Sequence, residues 1–263
     1  MNHTLTGTLR LHRALRSQHV EEPHDVIVYL PPGYNCAPEQ RYPVLYLQDG
    51  QNLFDAATAF GGNEWGLDEL AEELIARREI QPLIIAGIYN AGPARISEYT
   101  PVRDRRGAGG HASAYAKFIV QELKPFIDSE YRTLPDPAHT ALGGSSLGGL
   151  VTLYIGLRFP EIFGKLIVMS PSVWWGNRAI LRQLRKLNQK PRQEIWLDIG
   201  TCEGTDPENC VRNVRDLYAA LVEKGWQPDD DLKFVEDEGA GHDERAWGAR
   251  MRGALTFLFP VER

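Results

Sequence analysis

Short, wholly apolar runs take turns along this chain with longer stretches in which apolar side chains return every three or four positions. The run at 44–47 is apolar throughout, as in a strand buried on both faces, and 83–88 reads as a second of that kind. Residues 5–15 and 25–30 read as earlier strands, the latter ended by Pro31-Pro32-Gly33, and 140–142, 166–169, 194–198 and 231–236 supply the rest. Helical faces lie between them: Leu67, Leu70, Ala71, Leu74 and Ile75; Tyr115, Phe118, Ile119, Leu123, Phe126 and Ile127; Leu150, Leu153, Tyr154 and Leu157; Val211, Val214, Leu217, Tyr218 and Leu221. Further helices are expected around 179–187 and 244–258, and a long loop rich in Gly, Pro and Arg at 90–112. Strands alternating with helices predict an α/β fold with a mainly parallel central sheet and helices on both faces. In such sheets a site forms beyond the C-terminal ends of the strands.

One stretch stands out against that pattern. The strand at 140–142 runs into Gly143-Gly144-Ser145-Ser146-Leu147-Gly148-Gly149 and an apolar helix leaves it. Gly144-x-Ser146-x-Gly148 has the spacing of a nucleophile elbow, a sharp strand-to-helix turn that lifts one serine above the sheet. A Cβ at Gly144 or Gly148 would collide where helix and strand approach, and the serine backbone would be strained. Such a turn leaves the N–H of Leu147 at a helix N-terminus, free to face a developing oxyanion. The pentapeptide alone also suits an ordinary glycine-rich turn; the strand before it and the helix after it favour the elbow, with Ser146 the candidate nucleophile.

A serine hydroxyl needs a base, and the base needs an orienting acid. Of the seven histidines only His242 follows Ser146, and for this elbow the chain order is serine, acid, histidine. His242 sits in Gly239-Ala240-Gly241-His242, just past the last expected strand, where a surface histidine is the plainer alternative. Asp198 falls inside the strand 194–198. Asp206, followed by Pro207 and Glu208, reads as a helix N-cap. That leaves Glu203, on the loop beyond the strand, as the candidate acid. A second oxyanion donor is expected after 44–47, in Gln48-Asp49-Gly50-Gln51, with the N–H of Gln51 the best candidate. A tight turn in which Asp49 bonds its own backbone fits the same residues.

Composition narrows the partners. The 263 residues suffice for a large core in a single domain spanning 1–263. The net charge of −6 argues against nucleic acid or an anionic membrane surface as the main partner. No apolar run reaches the ~20 residues of a membrane span, and residues 1–20 lack the apolar core of a secretory signal, so a cytoplasmic location is expected. Cys36, Cys202 and Cys210 have no metal-ligand spacing; free thiols are expected, with a Cys202–Cys210 bond open only in an oxidising compartment. No metal or organic cofactor is expected.

The Asp49-Gly50-Gln51 loop, the Gly144–Gly149 elbow, Ser170-Pro171-Ser172-x-Trp174-Trp175, Gly200-Thr201-x-Glu203 and Gly241-His242 with Trp247 five residues on together resemble the esterase family of α/β-hydrolases that includes enterochelin (siderophore), feruloyl and acetyl-xylan esterases, esterase D and the mycolyltransferases. The resemblance spans roughly residues 25–258. It implies the α/β-hydrolase fold, a Ser146, Glu203, His242 triad, and an oxyanion hole from the N–H groups of Gln51 and Leu147. The paired tryptophans and the histidine loop look most like the enterochelin-esterase branch. Trp174, Trp175 and Arg95 are the substrate-binding candidates; for either tryptophan, core packing is the alternative. The expected activity is that of a serine carboxylesterase acting on a small-molecule ester, with a homo-oligomer allowed. A siderophore trilactone esterase or a feruloyl or acetyl-xylan esterase is the alternative within the class, and a non-catalytic binding protein on the same fold the alternative outside it.

Overall fold

The computed structural model describes residues 3–261. Eight strands form one sheet: β1 (Thr8–Leu15), β2 (His24–Leu30), β3 (Val44–Gln48), β4 (Ile84–Ile88), β5 (Thr140–Ser145), β6 (Lys165–Met169), β7 (Glu194–Gly200) and β8 (Leu232–Asp237), in spatial order β1-β2-β4-β3-β5-β6-β7-β8. β1, β2 and β4 pair antiparallel; every pair from β4 through β3 to β8 is parallel. The uniformly apolar runs are the central strands, with β3, β4, β5 and β6 buried at every position. β1, at the edge, has no buried residue. This is the mainly parallel α/β sheet that the alternation predicts and the α/β-hydrolase fold that the resemblance implies.

Eight α-helical segments accompany the sheet: α1 (Leu67–Ala76), α2 (Arg95–Glu98), α3 (Ala112–Lys117), α4 (Lys124–Glu130), α5 (Leu147–Arg158), α6 (Trp175–Arg185), α7 (Pro207–Glu223) and α8 (Glu244–Leu258). One core gathers α3, α5, α6 and α7 against one face of the sheet, through Tyr115, Leu150, Leu181 and Leu217. The other packs α1 and α8 on the opposite face, through Leu67, Leu74, Met251 and Leu255. No helix among the described residues is long and apolar enough to cross a membrane.

The structure departs from the sequence expectations in three places. The first strand starts at Thr8 rather than residue 5, because Gly7 turns the chain at φ 68°. The loop at 90–112 contains α2, too short to show a period. Between α3 and α4 the helix widens into a π-helical stretch, Phe118–Leu123, ending where the N–H of Lys124 donates to Ile119 O. Pro125, next in sequence, has no N–H to donate, which favours such a widening over a regular turn. Cys36, Cys202 and Cys210 are all free thiols.

Candidate active site

The order of strands reverses between β3 and β5, and the loops leaving their C-terminal ends, with those after β6, β7 and β8, carry the site. At the β5–α5 turn, Ser146 has φ 57° and ψ −120°, a conformation that typically costs about 1–3 kcal/mol. The surroundings hold it there. Its N–H donates to Met169 O at 2.9 Å, and its carbonyl accepts from Leu150 N at 3.1 Å and Ser172 N at 3.0 Å. A Cβ on Gly144 would lie 2.9 Å from Gln48 Cβ, and one on Gly149 only 2.7 Å from Met169 O, so helix and strand close to this distance only over glycine.

His242 lies between β8 and α8, one residue before Asp243, whose side chain caps α8 by accepting from Ala246 N at 3.0 Å. His242 Nε2 is 2.9 Å from Ser146 Oγ, and Nδ1 is 2.6 Å from Glu203 Oε2. Glu203, on the β7–α7 loop, is 2% exposed. Asp206 is instead the N-cap of α7, accepting from Asn209 N at 3.2 Å. The structure thus brings Ser146, His242 and Glu203 into one continuous chain of polar contacts, with serine and histidine accessible and the carboxylate buried.

Behind Glu203 lies a polar cluster. Its Oε1 accepts from Gly200 N at 2.7 Å and Ser170 Oγ at 2.5 Å. Ser170 Oγ itself accepts from Trp247 Nε1 at 3.0 Å and Arg250 Nη2 at 2.9 Å. Arg250 pairs with Asp198 (Nε–Oδ1 3.1 Å), Glu203 (3.6 Å) and Asp237 (3.4 Å). Burial pushes Asp198 up to about 6, although Arg250 and the hydrogen bonds from Trp196 and Ser170 N pull the other way. The Trp247 ring stands edge-on to His242, centroids 4.8 Å apart.

On the other side of Ser146, Asp49 takes a left-handed conformation at φ 57° and Gly50 begins a short 3₁₀ turn. A Cβ on Gly50 would lie 2.3 Å from Gly87 C, so the turn can sit on β4 only with glycine there. Neither Gln51 N–H nor Leu147 N–H is engaged in a hydrogen bond among the described residues. The Asp49 carboxylate does not cap its own turn: it accepts from Arg95 Nε at 2.7 Å and Nη2 at 2.8 Å, and from Asn90 Nδ2 at 2.6 Å. Arg95, expected at a substrate, has its fork committed to Asp49 and also lies over the Tyr99 ring at 5.0 Å.

A shallow cleft of about 160 Å³ lies over the catalytic candidates, lined by Ser146, Ser172, Trp174, Ile199, Cys210 and His242 among others. The two tryptophans part company here. Trp174 is 57% exposed and lines the cleft, whereas Trp175 is buried, its Nε1 donating to Val102 O at 2.7 Å. Trp175 is therefore a core residue, because its ring completes the packing under the 90–112 loop. Among the described residues no group of three or more His, Cys, Asp or Glu side chains is placed to hold a metal ion.

Comparison with known proteins places the chain in a family. A family model described as "Putative esterase" matches residues 17–258. The chain belongs to this esterase family. It is an ester hydrolase of the α/β-hydrolase type, similar to ferri-bacillibactin esterase BesA of Bacillus subtilis, with 31% identity over 78% of this chain and 75% of the relative. It is also similar to an endo-1,4-beta-xylanase/feruloyl esterase of Xylanibacter ruminicola, with 28% identity over 88% of this chain but 29% of that longer protein. Among solved structures, the BES protein from Bacillus cereus superposes with a TM-score of 0.76 at 24% identity, covering 98% of this chain and 97% of the other.

Sequence reasoning missed the groups that stand behind the site. Ser170 lies within a pattern that the family resemblance uses, yet nothing local marks its hydroxyl as a partner of the acid. Arg250 had a signal: it lies beside Met251 on the apolar stripe Trp247, Met251, Ala254, Leu255 and Leu258 of α8, an odd place for a cation without buried carboxylates to meet it.

Proposed function

We propose that this esterase is a serine carboxylesterase acting through an acyl-enzyme on Ser146. The observation that carries the reading is the unbroken contact chain Ser146 Oγ, His242 Nε2, His242 Nδ1, Glu203 Oε2, at 2.9 and 2.6 Å. His242 takes the serine proton as Oγ attacks the ester carbonyl, and Glu203 holds the imidazole orientation and stabilises the imidazolium that forms. The oxyanion is received by the N–H groups of Leu147 and Gln51, each without a hydrogen-bond partner among the described residues. His242 then protonates the leaving alcohol and activates the water that releases the acid. Both N–H groups belong to loops over glycines that admit no side chain, so they are set before the substrate arrives.

For the substrate, the exposed Trp174 at the cleft supports an ester with an aromatic or other flat group to stack on it. A siderophore lactone is the second reading, favoured by the similarity to ferri-bacillibactin esterase. Hydrolysis of p-nitrophenyl acetate, butyrate and octanoate and of methyl ferulate, by wild type beside Ser146→Ala, tests the proposal. Turnover confined to the wild type is the expected result; equal turnover by Ser146→Ala would refute the acyl-enzyme on that serine.

A further inference from the structure

Ser170 is the first residue beyond β6, buried and held at φ 41°. A hydroxyl carries one proton and two lone pairs, whereas an indole N–H and a guanidinium can only donate. Trp247 Nε1 at 3.0 Å and Arg250 Nη2 at 2.9 Å therefore occupy the two lone pairs of Ser170 Oγ, and its proton has one destination, Glu203 Oε1 at 2.5 Å. Glu203 Oε1 also receives Gly200 N–H, so donors fill that side of the carboxylate and Oε2 is left for His242 Nδ1. With Oε2 accepting, the proton of that contact sits on Nδ1, which leaves the Nε2 lone pair facing Ser146 Oγ.

Resting on the serine-esterase reading, we propose that Ser170 is a positioning residue for the catalytic acid: locked as a donor by Trp247 and Arg250, it holds the Glu203 carboxylate with one oxygen aimed at His242. Arg250 is itself tied to Asp198, and Asp198 Oδ1 accepts the Ser170 N–H at 3.2 Å, so the arrangement closes on itself. Trp247 serves both ends, donating to Ser170 and packing its ring edge-on to the imidazole of His242. Trp247, Arg250 and Asp198 stand behind the cleft, whereas Ser170, Glu203 and His242 line it.

The test variant is Ser170→Gly, because glycine suits φ 41° and the change removes the hydroxyl without adding strain. The expected result is a kcat lower by about tenfold to a hundredfold, as for a hydrogen bond to a charged group, with KM within about twofold. The downfield Nδ1–H proton resonance of His242 should shift, and in a Glu203→Gln background Ser170→Gly should add little further loss. Wild-type kcat with an unmoved resonance, or losses that multiply with those of Glu203→Gln, would overturn the proposal. Should Ser170→Gly fail to fold by circular dichroism, Trp247→Phe carries the test: it frees one lone pair of Ser170, and an unchanged kcat and resonance would again overturn it. Ser146→Ala run in parallel separates the two levels. Activity in Ser146→Ala defeats the serine-esterase reading, whereas an inactive Ser146→Ala beside a fully active Ser170→Gly defeats only the role of Ser170.

Discussion

Two loops close on Ser146 from opposite sides, and an arginine braces each by different means. Arg95 reaches the oxyanion side from α2 and forks onto one carboxylate, that of Asp49, with its side chain 27% exposed. Arg250 comes to the acid side from α8, 4% exposed, and is shared among Asp198, Glu203 and Asp237. Without Arg95 one buried carboxylate, Asp49, loses its cation but keeps the bond from Asn90 Nδ2, whereas without Arg250 two buried carboxylates, Asp198 and Glu203, lose theirs together. The fold thus depends on a single arginine–carboxylate pair on the Asp49 side and on a buried set sharing one arginine on the Glu203 side.

The residues common to both sides set the scale. Ser146→Ala or His242→Ala is expected to lower turnover on the order of a millionfold, as for the equivalent groups of another serine hydrolase, with Tm little changed. Arg250→Ala should separate the two sides most clearly in stability: Asp198 and Glu203 would be left buried without a cation, at a cost of about 3–5 kcal/mol in urea unfolding. Arg95→Ala should instead lower kcat by up to about a hundredfold, while costing a smaller amount in unfolding, about 1.5–3 kcal/mol, because buried Asp49 keeps the bond from Asn90. Equal losses of stability in the two arginine variants would break the comparison.

A smaller effect sharpens the acid side. The folded pKa of Asp198, about 6, lies above its ordinary 3.8, so folding favours the protonated form. That contribution is complete below the ordinary value and is lost as pH rises through the folded one. Tm of the wild type minus Tm of Asp198→Asn is therefore expected to fall as pH rises through this interval and to level off above it. The smallest expected effect is that of Trp174→Ala: stability within about 0.5 kcal/mol, with KM for aryl esters raised a few fold and for acetyl esters unchanged.

These features differ in how far the sequence displays them. The helix expected at 244–258 is found over that same range, because Asp243 caps it and its apolar stripe has a clear period. The elbow is equally legible, since backbone packing at Gly144 and Gly149 permits no other residue and so leaves its mark in the letters. Glu203 emerged by elimination, as Asp198 lies within a strand and Asp206 at a cap, and those are the places the structure gives them. Arg95 was legible as a residue near the site but not as the partner of Asp49. Pairing across 46 positions has no local pattern. The donors to Ser170 come from 77 and 80 positions away, which hides its setting for the same reason.

The most direct test of the central claim is to treat the wild type with a reactive fluorophosphonate, digest it and locate the adduct by mass spectrometry. The expected result is a single adduct on the peptide carrying Ser146, formed in step with loss of esterase activity and far more slowly in His242→Ala. An adduct elsewhere, or full esterase activity in fully labelled protein, would contradict the account.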